Sequence, residues 1–361
     1  MSEMLQVGHV VDGRYEVLRF IGEGGMQFVY EARDKVIGRL VALKTPKNRS
    51  ATKRFRRSAV VAARVNHPNV AKTLDYLKVG EQRFLIEELI QGEDLASALL
   101  KDAPVLDPYL AARVFHHLAK GVAAAHHAGV VHRDLKPTNV MVVGGYNATE
   151  IKLTDFGIAK LAEEELEAAA EGGNETLSAS QTAVGALPYM APEAIEKPKE
   201  VGTAADVWSL GAMMYHLITG RPPFGMGLQA VRGILTSDVP SPPEFVLKNP
   251  QFRPLAEQVM QLALECLKKD PKERPTSDQV VSACERLCYS VVLRERGRVR
   301  RIDHGKYGFI ASPAGDVFFH MNSVYGPDRP KLGDTVVFAR HSGGGAPRAY
   351  PVMKLQAVPS S

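Results

Sequence analysis

Between residues 15 and 48 apolar and polar positions alternate in three short runs, RYEVLRFI, QFVYEAR and RLVALK, broken by a glycine cluster and by Gly38. This pattern predicts short strands. Residues 51–65 carry helical spacing and end at HPN, and strand-like KTLDYLKV and QRFLIEEL follow. From about Leu95 the period becomes mainly helical, with apolar-periodic helices predicted over 108–128, 204–219 and 254–268. LAEEELEAAAEGGNETLSASQTA, residues 161–183, is polar, acidic and rich in small residues, as a mobile loop would be. After Cys288 the texture changes to VVLRERGRVRRI and then to short β-type runs between Gly, Pro and Asp, which places a domain boundary near residue 290. No internal repeat is present.

Composition narrows the class. The 361 residues are 45% hydrophobic and 24% charged, as in a soluble globular protein of two or three domains. No run reaches about 18 consecutive apolar residues, and MSEMLQVGHVVDGRYEV lacks the regions of a signal peptide, so a cytoplasmic protein is expected. Cys266, Cys284 and Cys288 are too few for a disulfide framework. Cys284 and Cys288 could share a helix face and a metal, but buried reduced thiols are the favoured reading. The net charge of +5 is uneven: from Arg294 onward 11 Lys and Arg face 5 Asp and Glu, against 34 and 35 in the rest. The basic tail points toward polyanions.

Four separated signatures occur in a fixed order. IGEGGMQFVY, residues 21–30, is a glycine turn between strands that could fold over a triphosphate. VALK places Lys44 on a strand, where it could bind α- and β-phosphates. In VHRDLKPTNV, Asp134 would accept the proton of a hydroxyl nucleophile, Lys136 would balance the transferring charge, and Asn139 would hold a magnesium ion. In LTDFGIAK, Asp155 would chelate magnesium. MAPE follows at 190–193. Phosphoryl transfer depends on positioning and charge neutralisation, which these residue types supply.

With these motifs, and with DVWSLGAMMYHLITGRPPF and DPKERPT further on, residues 15–287 resemble the bacterial eukaryotic-like (Hanks-type) serine/threonine protein kinases. The resemblance implies a bilobal α+β fold and ATP with Mg2+ in the cleft. The nucleotide pocket would be formed by Ile21, Gly22, Gly24, Val29, Lys44, Glu87, Glu88, Ile90, Asn139 and Asp155. It also implies a Glu193 to Arg274 ion pair, and Lys136 matches the serine/threonine version. Arg133 beside Asp134 implies control by phosphorylation of the following loop. Thr182 is the first candidate, with Ser180, Ser178 and Thr176. Protein substrates are expected, and a homodimer for trans-autophosphorylation is allowed.

Three positions depart from that pattern. Gln27 stands at the third glycine, where it weakens the grip on phosphate or, leading into a strand, is harmless. Ala186 replaces a threonine that bonds the catalytic aspartate and lysine; a tenfold rate effect needs only about 1.4 kcal/mol. Ser58 stands where the helix should carry a glutamate for Lys44, and Lys35 to Leu74 holds eleven Lys and Arg without one Asp or Glu. Of Glu87 and Glu88, adjacent on a strand, only one can face the back of the pocket, and the hinge pattern makes it Glu87. A carboxylate is costly to bury alone but not beside Lys44, so Glu87 is expected to replace the helical glutamate. The alternative is a neutralised or solvent-reaching Glu87 in a weak or inactive enzyme.

In GRVRRIDHGKYGFIASPAGDVFFHMN, Tyr307 and Phe309 share one strand face, and Phe318 and His320 share another. Such a group on a basic surface suits stacking of unpaired bases; the alternative is a small β core. Through LGDTVVFARHSGGGAPRAYPVMKL the region resembles a cold-shock domain, an OB-type barrel that binds single-stranded RNA or DNA, with YGFI and DVFFH as its two motifs. Arg301 and Met321 replace aromatic residues usual in that family. The expected organisation is an N-terminal segment 1–14, a kinase domain 15–287, a linker 288–296, a cold-shock-like domain 297–357 and a tail 358–361. The rival functional reading is a pseudokinase scaffold that binds nucleotide and RNA without phosphotransfer.

Overall fold

The computed structural model describes residues 4–23, 27–47, 55, 59–156 and 185–356. The alternating runs form an antiparallel sheet of β1 (Val10–Val11), β2 (Tyr15–Glu23), β3 (Gln27–Asp34), β4 (Leu40–Pro46), β5 (Thr73–Val79) and β6 (Gln82–Glu88), in the order β1-β2-β3-β4-β6-β5. Every second residue of the central strands packs into a small core of Tyr15, Val17, Tyr30, Ala32, Val41, Leu43, Phe84 and Ile86. The helix expected over 51–65 is helical at Phe55 and at 59–62 and turns at 63–64. Its remaining early residues, Ser58 among them, lie outside the described residues. Phe55 and Ala59 rest on Leu85, with Tyr76 packed alongside.

The second lobe is helical. It contains β7 (Glu93–Asp94), α1 (Pro108–His127), β8 (Val140–Val143), β9 (Glu150–Leu153), α2 (Thr203–Thr219), α3 (Leu228–Thr236), α4 (Arg253–Cys266) and α5 (Ser277–Glu285), with β7, β8 and β9 in one sheet. The helices expected from periodicity are present as α1, α2 and α4. Helix α1 starts where it does because the Asp107 carboxylate accepts hydrogen bonds from the amides of Tyr109 and Leu110, with Pro108 at the first turn. Helices α2 and α4 cross at Gly211, where an added Cβ would lie 2.7 Å from Cys266 Cβ and 2.8 Å from the Ala263 carbonyl oxygen. The expected 161–183 loop lies outside the described residues. Cys266 and Cys284 are buried and Cys288 is exposed, so the expectation of buried thiols holds for two of the three. Among the described residues no group of three His, Cys, Asp or Glu is placed to share a metal, and no helix is long and apolar enough to cross a membrane.

The tail forms a six-stranded sheet of β10 (Arg294–Asp303), β11 (Tyr307–Ala311), β12 (Val317–His320), β13 (Val324–Tyr325), β14 (Thr335–His341) and β15 (Arg348–Lys354). Its order is β12-β11-β10-β14-β15-β13, and a further β12 to β15 pairing at Phe318 and Arg348 closes it into a barrel. β10 begins at Arg294, inside the stretch expected as a linker. The barrel interior holds Val299, Ile310, Val317, Phe319, Val336, Phe338 and Val352.

The barrel sits on the helical lobe rather than hanging from it. Arg294 makes a two-pronged ion pair with Asp107, at 2.6 and 3.0 Å, so the α1 cap and the first barrel strand share one carboxylate. The Tyr325 hydroxyl donates to the Ile218 carbonyl (3.0 Å), Tyr350 and Tyr109 join hydroxyls (2.8 Å), and the Phe252 and Tyr350 rings stack. Tyr325, Val337, Met353 and Leu355 belong to the same apolar core as the helices.

Candidate active site

Four strands bring the first elements together. β3 and β4 pair Val29 with Lys44, while β2 and β3 pair Gly22 with Val29. β4 and β6 pair Ala42 with Glu87 and Lys44 with Leu85. Glu87 therefore lies diagonally across from Lys44 on the same face of the sheet, within reach of a long side chain. Glu87 Oε2 lies 2.6 Å from Lys44 Nζ, and both side chains are almost fully buried, at 6% and 7% exposure. Glu88 points the other way, where its carboxylate takes Lys152 Nζ (2.8 Å) and the Lys72 amide (2.8 Å). Alternation along β6 separates the two glutamates as the sequence reading required.

Asp155 meets the same ammonium from the helical lobe. Its Oδ1 is 2.8 Å from Lys44 Nζ and 2.8 Å from Gln27 Nε2. Burial alone would lower the Lys44 pKa, but Asp155 and Glu87 outweigh it and hold the ammonium charged well above its ordinary range. Burial pushes Asp155 up, yet Lys44 and the Gln27 amide bring it below the usual carboxylate value. For Glu87, burial dominates and the pKa rises despite Lys44. One ammonium thus faces two carboxyl groups, of which Asp155 is the one held below its usual range.

The second cluster lies on the loop after α1. Lys136 Nζ and Asn139 Nδ2 both donate to Asp134 Oδ2, each at 2.9 Å, and Asn139 Nδ2 also reaches the Asp134 carbonyl (2.8 Å). The loop is pinned from below by buried Asp206 of α2, whose carboxylate accepts from the His132 and Arg133 amides, both 2.8 Å. It is also tied to Asp155: the Asn139 carbonyl accepts from both the amide (3.0 Å) and the hydroxyl (3.2 Å) of Thr154. Asn139 and Asp155 are therefore fixed relative to each other through one residue. Ala186 offers no hydroxyl, and Asp134 is oriented by Lys136 and Asn139 instead. The Arg133 guanidinium donates to the Val201 carbonyl (3.2 Å). Gly24, Thr176, Ser178, Ser180 and Thr182 lie outside the described residues. Further back, Arg274 grips Glu193 through two bonds of 2.6 and 2.8 Å.

Ile21 is exposed and Ile90 half-buried. Two participants were not read as such from sequence. Gln27, read as either a weakened phosphate grip or a harmless strand entry, does begin a strand, but its side chain is buried and bonded to Asp155. Asp206 was not singled out, although a buried aspartate early in an otherwise apolar helix was a usable signal.

On the barrel, Tyr307 pairs with His320 and Phe309 with Phe318 across β11 and β12. All four are half-buried on the outer face, while Ile310, Val317 and Phe319 alternate inward. The alternative of a small aromatic core is not what the barrel shows at these four positions. Tyr307 and Phe309 each lie 5.7 Å, centroid to centroid, from Phe318. The Arg301 guanidinium lies 4.8 Å over the Phe309 ring, so a cation covers part of this face.

The family model for the protein kinase domain matches residues 15–284. The chain is 31% identical over 284 residues to the serine/threonine-protein kinase pkn2 of Myxococcus xanthus, covering 74% of this chain and 31% of that protein. It is 32% identical over 286 residues to the serine/threonine-protein kinase PkaA of Streptomyces coelicolor, covering 75% and 49%. It is 30% identical over 279 residues to the probable serine/threonine-protein kinase PknB of Lactococcus lactis, covering 76% and 42%. The chain thus spans about a third to a half of the length of these relatives. The order of the motifs, the site they build and this match together place the chain in the protein kinase domain family.

Proposed function

We propose that the chain is a serine/threonine protein kinase that transfers the γ-phosphoryl group of ATP to protein hydroxyls. The observation that carries this reading is Lys44 held between Glu87 and Asp155, in a protein where Asp134, Lys136 and Asn139 are preassembled on a loop tied to Asp155. The donor set fits the implied cofactors. Asn139 spends its amide nitrogen on Asp134, which turns its amide oxygen away from that carboxylate. Asp155 Oδ1 carries two hydrogen bonds, which leaves Oδ2 for a cation. An amide oxygen and a carboxylate oxygen are the hard ligands magnesium takes alongside water and phosphate. Bound Mg2+·ATP would supply the activated phosphoryl group and neutralise its charge.

The chain supplies the rest. Lys44 holds the α- and β-phosphates, with Ile21, Val29 and Ile90 as apolar walls. Asp134 orients the substrate hydroxyl and accepts its proton on a carboxylate oxygen, while Lys136 balances charge at the transferred group. Phosphorylation at Thr182, or at Ser180, Ser178 or Thr176, gives Arg133 an anion to grip. The pseudokinase alternative lacks an equivalent argument, because the sequence retains Lys44, Asp134, Lys136, Asn139 and Asp155 together. Labelled ATP, with an Asp134→Asn control, tests the reading: incorporation in the wild type and none in the control supports it, and equal signals refute it.

A second reading rests on the outer face of the barrel. Tyr307, Phe309, Phe318 and His320 in register beside Arg301 form a stacking platform, and we assign it to single-stranded RNA or DNA, with the barrel as a cold-shock-like domain. Binding of labelled single-stranded RNA by the full chain tests it.

A further inference from the structure

Gln27 occupies the cleft in a way that neither phosphate binding nor strand packing explains. It is the first residue of β3, it is 5% exposed, and its Nε2 donates to Asp155 Oδ1. Its Oε1 is buried and, among the described residues, has no hydrogen-bond partner. The two amide atoms share one carbon, so this unsatisfied acceptor lies beside the carboxylate that the proposed reaction uses to hold a cation. A buried acceptor left unpaired costs free energy in the state that buries it, and such an atom in a native site points to a missing partner. Lys44 is not that partner in the structure, where its ammonium meets Glu87 and Asp155.

We propose that Gln27 is a positioning residue for the divalent cation: its N–H group fixes Asp155 and its amide oxygen accepts a hydrogen bond from a water that the cation carries. This inference rests on the kinase reading of the same site. Water on a divalent cation is a strong donor, and outer partners of this kind orient the ligands beneath them. The residue type suits the charge balance. Lys44 already supplies a positive charge beside Asp155, and a neutral amide adds a donor and an acceptor without adding another that would repel a cation. In a glycine at this position both groups would be absent.

The test is Mn2+ binding to the full chain in the presence of a non-hydrolysable ATP analogue, followed by electron paramagnetic resonance. Gln27→Met keeps the volume and removes both polar groups, and Gln27→Glu restores acceptor oxygens. Circular dichroism confirms that each variant is folded. The expected result is a loss of Mn2+ affinity of about tenfold or more in Gln27→Met, recovered in Gln27→Glu. An affinity in Gln27→Met within twofold of wild type overturns the inference, as does a Gln27→Glu variant no tighter than Gln27→Met, while leaving the kinase reading intact. A wild-type chain that binds no Mn2+ with the analogue overturns both.

Discussion

Lys44 and Glu87 form a buried ion pair of 2.6 Å between adjacent strands of one sheet. The carboxylate that orients this lysine therefore comes from the sheet that carries the lysine, two residues along a fixed register. A partner on a separate helix can be withdrawn when the helix moves; a partner on the neighbouring strand moves with the lysine. The Lys44 and Glu87 pair is therefore carried by the sheet itself.

The charge state of Glu87 gives a pH signature. Burial lifts its pKa above the ordinary 4.5, Asp155 adds to the shift and Lys44 opposes it. A carboxyl raised on folding contributes stability that is fully present below 4.5 and lost as pH rises through the raised value. Glu87→Gln has no such loss, so denaturant titrations of wild type and variant should diverge in that window, with the variant gaining relative stability as pH rises. Activity should run oppositely: wild-type kcat/KM rises as Glu87 ionises and pairs with Lys44, and the variant stays low, by tenfold or more, without that limb. Parallel stability curves would refute the assignment.

Arg294 joins the barrel to the helical lobe. Its pair with Asp107 is buried on both sides, at 7% and 0% exposure. Arg294→Ala leaves the Asp107 carboxylate without its countercharge in an apolar interface, for which a loss of about 3 to 5 kcal/mol is expected. Thermal melts should show the variant unfolding at lower temperature. A wild-type melting temperature in Arg294→Ala would show that the docking does not depend on this pair.

The barrel's two aromatic sets should separate binding from stability. Phe318→Ala, on the outer face, should weaken single-stranded RNA binding by about 1 to 3 kcal/mol with little change in melting. Phe319→Ala, one residue along and facing inward, should destabilise the barrel by about 3 to 5 kcal/mol. Fluorescence anisotropy and calorimetry read the two effects. RNA affinity unchanged in Phe318→Ala would remove the platform from the account.

The sequence reveals what is local or periodic. Strands β2 to β6 and helices α1, α2 and α4 follow from alternation and 3.6-residue spacing, and the Lys44, Asp134, Asn139 and Asp155 motifs each sit within a few residues of chain. Glu87 was legible because two adjacent glutamates on a strand must face opposite ways, so one of them entered an apolar pocket. Gln27 was not, because its bond to Asp155 joins residues 128 apart and no local pattern reports such a meeting. The docking of the barrel was hidden for the same reason. Arg294 read as one more basic residue in a basic tail, and Asp107 did not stand out, until the fold placed them 2.6 Å apart.

The most direct measurement is autophosphorylation from labelled ATP by wild type, Lys44→Ala and Glu87→Ala side by side. If Glu87 holds Lys44 in place of a helical glutamate, Lys44→Ala abolishes incorporation and Glu87→Ala lowers it at least tenfold, about 1.4 kcal/mol. Full incorporation by Glu87→Ala alongside a silent Lys44→Ala would contradict the account.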